Sequence, residues 1–245
     1  MINCYRQLCT LAALILLSGC ESEPTDPAIR FGIATAPLTL DPRYASDSGS
    51  QRISDLLYRG LVVLNDESRA RPDAASWETL SASRYRFEFD RGARFHDGEL
   101  MRAADAKATY ESILDADSAS PFRAGLSNIK SISIEEQALV FELFKADPFF
   151  TGHLTLGIIK ENETALAKDK HKTTSGDFSL RGVGADGSVS LSRVRDRQLF
   201  QFKVVRDPNV RALKLINSEL DLIQGSSNGS SMALAIRSAT VSAAS

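Results

Sequence analysis

The sequence predicts an α/β or α+β body, and three observations carry that reading. Several short stretches alternate apolar and polar residues with the period of half-buried strands, others repeat apolar residues at helical spacing, and the two kinds are interleaved along the chain. Ile29, Phe31 and Ile33 alternate with Arg30 and Gly32 and predict a first strand. Ile53, Leu56, Leu57 and Leu61 keep a helical period and predict a helix across residues 50–62. Tyr85, Phe87 and Phe89 alternate with Arg84, Arg86 and Glu88, which reads as a strand with one wet face. Asp105 to Leu114 predicts a helix whose first-turn acid complements the helix dipole. Two strands follow at Ile129 to Ile134 and Leu139 to Phe144, turning at Glu135-Glu136-Gln137. A second hairpin joins Phe178 to Leu180 and Val189 to Val194 around the turn pair Asp186-Gly187. Leu199 to Val205 is a further alternating strand, Pro208 opens a helix where its missing N–H costs nothing, and Leu220 to Ile223 is a short strand.

The two ends have a different texture. Leu11 to Leu17 is an uninterrupted apolar block, too short for the roughly 20 residues of a membrane-spanning helix and suited to the centre of an export signal. It runs into Leu17-Ser18-Gly19-Cys20, which resembles the lipobox of bacterial lipoproteins. That resemblance implies removal of residues 1–19, acylation of Cys20 and attachment to a membrane through its lipid. Glu21 to Ala28 holds two prolines and three acids and reads as a tether. Loss of residues 1–19 removes Cys4 and Cys9, and a lipidated Cys20 cannot pair, so stability has to come from a core without disulfides. It also removes Arg6 and takes the net charge from −2 to −3, which argues against a nucleic-acid partner. After Gly225 the chain is rich in Ser and Ala, with Arg237 its one charge, a composition that favours a disordered tail.

Arg71 to Leu114 reads RPDAASWETLSASRYRFEFDRGARFHDGELMRAADAKATYESIL. Its Pro72, Ala75-Ser76-Trp77, the aromatic strand of Tyr85, Phe87 and Phe89, Phe95-His96-Asp97-Gly98 and Ala103 to Asp105 resemble the signature of family 5 extracellular solute-binding proteins. Leu40-Asp41-Pro42, Leu57-Tyr58-Arg59-Gly60-Leu61, Val204-Val205-Arg206-Asp207 and Ser218-Glu219-Leu220-Asp221 follow in the family's order. Thr174-Ser175-Gly176-Asp177-Phe178 stands where the family has a proline-containing turn, with Asp177 in the proline's place.

The resemblance implies an α/β, periplasmic-binding-protein-like fold (type II, cluster C): a first lobe at residues 29–60 and 173–225, with a small α+β domain inserted at 61–172. The tail is 226–245, and the second lobe is expected to be missing. In function it implies a receptor for peptides or other small solutes, gripped between two lobes and delivered to ABC permease subunits. The extended segment Ala36, Pro37 and Leu38 is expected to face the cleft. With one wall only, weak or no ligand binding is expected. The alternative is a truncated remnant or a surface lipoprotein that contacts another protein.

Chemistry outside that reading is sparse. The G-x-G-x-x-G at Gly182, Gly184 and Gly187 precedes a strand instead of opening a helix, so it reads as a hairpin loop and not a dinucleotide site. His96, His153 and His171 have no partner at zinc spacing, and no nucleophile elbow or His-Glu-x-x-His occurs. No metal, no cofactor and no enzymatic activity are expected. The basic residues from Lys160 to Lys172, interleaved with acids, read as a solvated helix face.

Overall fold

The computed structural model describes residues 28–166, 168–169 and 173–224. The proposed signal, Cys20, most of the tether and the Ser/Ala tail lie outside the described residues. Among the described residues no helix is long and apolar enough to cross a membrane.

Among the described residues eleven strands form three sheets, accompanied by three α-helices. The largest has the order β11 (Leu222–Ile223), β1 (Ile29–Ile33), β10 (Leu199–Val204), β9 (Val189–Arg193), β8 (Phe178–Val183). In it β1 runs parallel to both β10 and β11, and the other pairings are antiparallel. The second sheet is an antiparallel four-strand array, β4 (Ala75–Ser81), β5 (Arg84–Phe89), β7 (Ala138–Leu143), β6 (Ile129–Glu135). A ribbon of β2 (Val62–Leu64) and β3 (Ala70–Pro72) stands beside it.

Each large sheet has its own core. Phe31, Ile33, Val189, Leu191, Phe200 and Phe202 point from the mixed sheet onto α1 (Ser48–Leu57), which contributes Ile53 and Leu57. Leu61, Tyr85, Phe87, Leu139 and Phe141 form the other core with Ala106, Tyr110 and Ile113 of α2 (Ala103–Leu114). There Phe141 meets Phe87, Tyr110 and Phe150 edge-on at ring separations of 5.6, 5.5 and 5.3 Å. Each such pair adds about 0.5–1.5 kcal/mol beyond simple burial.

Local chemistry explains the boundaries. Asp47 caps α1 by accepting from the N–H groups of Gly49 and Ser50, and Asp207 caps α3 (Pro208–Ile216) in the same way. α2 starts two residues earlier than the sequence suggests, because Asp105 at its third position reaches back to the Arg102 N–H at 2.9 Å. The β6–β7 hairpin turns on Glu136 and Gln137, both left-handed at φ 49° and 74°, the twist a two-residue turn requires.

Four expectations are corrected. The first helix ends at Leu57, and Leu61 lies past it in the core of the antiparallel sheet. The strand expected from Leu220 is paired only at Leu222 and Ile223, and β8 continues past Leu180 to Val183. Lys160 to Lys172 is not a solvated helix face: only Glu161–Glu163 make a single 3-10 turn, and Lys160 is buried. Its ammonium meets Asp97 at 2.5 Å and Glu99 at 3.0 Å, so a hairpin 60 residues earlier recruits it into an ion-pair cluster. Lys170, His171 and Lys172 lie outside the described residues.

Candidate functional site

In open α/β sheets ligands settle at the carboxyl ends of parallel strands, and here that edge is formed by β1, β10 and β11. The chain leaves β1 at Ile33 and crosses the edge as residues 34–41 before entering α1. Ala34 N–H is held by Gln224 Oε1 at 3.3 Å. Further on, Ser50 Oγ accepts from Leu38 N–H at 2.8 Å and Thr39 N–H at 3.0 Å. Asp169 Oδ1 then accepts from Thr39 Oγ1, Leu40 N–H and Asp41 N–H at 2.8, 2.6 and 3.1 Å.

Between these anchors, Thr35, Ala36 and Pro37 make no hydrogen bonds to any described residue. Leu38 projects its side chain outward, 78% exposed. The tip of the β8–β9 hairpin closes one side. Gly187 sits there at φ 79°, and a Cβ on it would stand 2.6 Å from that of Ala36, so both backbone and contact demand glycine. Gly184 and Gly187 are thus hairpin residues. The three residues Ala36, Pro37 and Leu38 therefore lie together on the carboxyl edge, in a segment outside any strand that bends at Leu38, with the N–H and C=O of Ala36 uncommitted.

Leu40-Asp41-Pro42 is scaffold beneath this edge. Asp41 is fully buried and pairs with the buried Arg43 at 2.9 Å, and Arg43 donates to Thr164 O at 2.6 Å and Ser112 Oγ at 3.4 Å. The neighbouring Tyr58 hydroxyl is pushed above its ordinary pKa by burial and by the Asp41 charge. Asp47 is pushed up by burial, but the Ser50 hydroxyl and the N–H groups of Ser50 and Gly49 outweigh that and hold it below the usual carboxylate range.

The signature motif explains the joint between the two cores. Arg59 donates to Asp73 Oδ1 at 2.8 Å, Gly60 N–H donates to Asp73 Oδ2 at 3.0 Å, and Ser175 Oγ accepts from Arg59 N–H at 3.0 Å. Ser175 and Gly176 both donate to Leu57 O, and a Cβ on Gly176 would collide with Leu56 O. His96 hydrogen-bonds Thr174 Oγ1 and Gly176 O, each at 2.8 Å. The Gly176 carbonyl can only accept, so the Nε2 of His96 carries a proton. Among the described residues no group of three or more His, Cys, Asp or Glu could hold a metal. Sequence reasoning missed Ser50, Asp169, Gln224 and Gly187 as shapers of the edge. Only the Asp186-Gly187 turn carried a signal, and its meeting with Ala36 is a tertiary fact.

The family model for bacterial extracellular solute-binding proteins, family 5 (middle portion), matches residues 72–242. The chain belongs to this family. Among curated proteins it is 27% identical over 179 residues to the probable deoxycholate-binding periplasmic protein YgiS of Escherichia coli K12, a match over 62% of this chain and 34% of that one. The fold matches the agropinic-acid complex of AgaA from A. tumefaciens R10 with TM-score 0.72 and 24% identity over 80% of this chain and 43% of that one. It matches the nonapeptide complex of the oligopeptide-binding protein AppA from Bacillus subtilis with TM-score 0.73 and 20% identity, over 79% and 43%. NikZ from Campylobacter jejuni, in complex with Ni(L-His), gives TM-score 0.70 and 20% identity over 79% and 42%. The chain thus spans about a third to under half the length of these family relatives. Its mixed α/β fold is that of periplasmic binding proteins, over a length consistent with one lobe.

Proposed function

We propose that this chain is the solute-facing lobe of a non-catalytic receptor for an ABC importer, taking peptides or comparable small solutes. In this reading residues 29–60 and 173–225 form the lobe, and 61–172 form a domain inserted into it. Cys20 carries the lipid that ties the chain to the bacterial envelope, and the permease subunits are its partners.

The observation that carries the reading is the uncommitted backbone of Ala36 on the carboxyl edge of β1, beside the Gly187 tip. An extended ligand can add there as a short strand, with Ala36 supplying one donor and one acceptor; Pro37 supplies no donor. A single wall leaves such a ligand largely solvated and its charges screened, so affinity for this chain alone is expected to be weak.

Amide NMR of the full chain with a pool of di- to hexapeptides at millimolar concentration tests this. Shifts confined to Thr35, Ala36, Leu38 and Gly187 are expected, with no micromolar binding by calorimetry. Shifts elsewhere, or none, overturn the assignment of the site. Intact-mass measurement of the membrane-bound protein separately tests the acyl group on Cys20, and an unmodified cysteine overturns the anchor.

A second reading, a surface lipoprotein docking onto another protein, is favoured by one observation. α3 leaves Leu213 57% and Ile216 76% exposed, side chains that ordinarily seek cover.

A further inference from the structure

The mixed sheet has two functional ends. The carboxyl end of β1 holds the candidate solute edge. At the opposite end the chain enters the fold: Ala28 precedes Ile29, which pairs with Phe200 at the start of β10. The turn from β9 to β10 projects from that same end, carrying Arg193, Arg195 and Arg197, with Arg193 N–H bonded to Gln198 O.

Beside this turn lies a cavity of about 610 Å³, where the hairpin at Arg94–Gly98 approaches the exposed edge of β8. Arg94, Arg181, Arg193 and Arg197 line it together with His96 and Ser192, and no carboxylate does. Arg193 is neutralised by a two-point pair with Asp196 at 2.9 and 2.6 Å, and Arg94 donates to Gly98 O at 2.9 Å. The side chains of Arg181 and Arg197 are exposed and meet no hydrogen-bond or ion-pair partner among the described residues. Arg197 also holds a left-handed backbone at φ 61°, a conformation that glycine or asparagine adopts more cheaply, so its turn carries a long cation where the backbone favours a small residue.

Two unpaired guanidiniums over a cavity without carboxylates suit a multidentate oxyanion, above all phosphate, whose geometry the arginine fork matches. The position names the source. Eight peptide steps lead from Cys20 to Ala28, a reach of at most about 28 Å, so a lipid on Cys20 keeps this end of the sheet within a short distance of the bilayer. We infer that the arginine-lined cavity binds the phosphate of an anionic lipid headgroup, docking the anchor end of the protein onto its own membrane. In that pose the carboxyl end of β1 points away from the bilayer, toward the solute. The inference rests on the proposed anchor at Cys20 for its membrane source.

The test is partitioning of the full chain onto vesicles of phosphatidylglycerol and phosphatidylcholine in equal parts, against vesicles of phosphatidylcholine alone. The apolar leader and any acyl chain enter both alike, so the ratio between them isolates the headgroup contribution. An arginine at an anionic surface contributes about fivefold, so the double variant Arg181→Gln, Arg197→Gln is expected to lower the ratio about 25-fold. Raising salt from 50 to 300 mM lowers it in the unmodified chain, and Lys145→Gln, on the antiparallel unit, leaves it unchanged. Matching thermal melts confirm that the variants fold. A ratio indifferent to the double variant overturns the inference. So does inorganic phosphate binding that needs both arginines while vesicle partitioning does not, since the site is then one for a free oxyanion. An unmodified Cys20 with the arginine-dependent ratio intact sinks the anchor and leaves the headgroup site standing.

Discussion

The antiparallel unit and the mixed sheet build their cores from opposite kinds of contact. The antiparallel core draws on residues from Leu61 to Ile158, contiguous in sequence, and its hairpins pair near neighbours such as Glu135 with Ala138. The mixed sheet joins Ile29 to Phe200 and Phe31 to Leu222, so its first strand in sequence waits for chain segments some 170 to 190 residues later. Local contacts lose less chain entropy on closing than distant ones. A unit made of them closes on itself in sequence, whereas the mixed sheet keeps a bare backbone at Ala36; both units leave apolar side chains exposed, Phe144 and Phe149 on the first and Leu213 and Ile216 on the second. In the proposed reading, the self-contained unit supports and the open one carries the solute edge.

The sharpest way to break this comparison uses Trp77, the single tryptophan, which packs on the antiparallel core. Phe202→Ala empties a fully buried site in the mixed sheet and is expected to cost about 3–5 kcal/mol. Denaturant unfolding followed by exchange of the β10 amides should show that loss while the Trp77 emission midpoint holds. Phe141→Ala should do the reverse. If each variant moves both signals together, the two cores are one cooperative body. Asp41→Ala probes the staple between them: Arg43 is left buried beside Ser112 and Thr164, and a loss of about 3 kcal/mol shared by both signals is expected.

Gly176→Ala comes next, at about 1–3 kcal/mol, because its Cβ strikes backbone that cannot swing aside; both transitions should shift, since the contact lies in the joint. The smallest effect belongs to Asp97→Asn, below about 1 kcal/mol, since that carboxylate is 39% exposed. The hydrogen bond from Lys160 holds Asp97 below the usual carboxylate range. Its contribution is therefore complete above the unfolded value of about 3.9 and is lost as pH falls through the lower folded value. Melting temperatures of variant and parent should differ at pH 6 and converge in strong acid.

Most of the fold was legible because it is written in short-range pattern. Tyr85, Phe87 and Phe89 announced β5, and Asp207-Pro208 announced α3, since alternation and capping act within a few residues. β4 escaped notice: its burial pattern shows no clean alternation, and Trp77 owes its half-buried place to its cross-strand partner Phe87. The candidate edge was legible only as an extended stretch before Leu40-Asp41-Pro42. That Ser50 and Asp169 fix its far end depends on residues 11 to 130 positions away.

By itself the sequence determined the kinds of element, many of their turns, and the family's signature. Those features depend on backbone sterics and local periodicity, which any stretch carries with it. Tertiary structure alone decided that β1 lies between β10 and β11, that Lys160 is buried against Asp97, and that Gly187 faces Ala36. Such meetings are set by which surfaces the whole chain can bury together, a balance of packing against loop closure that no local pattern encodes.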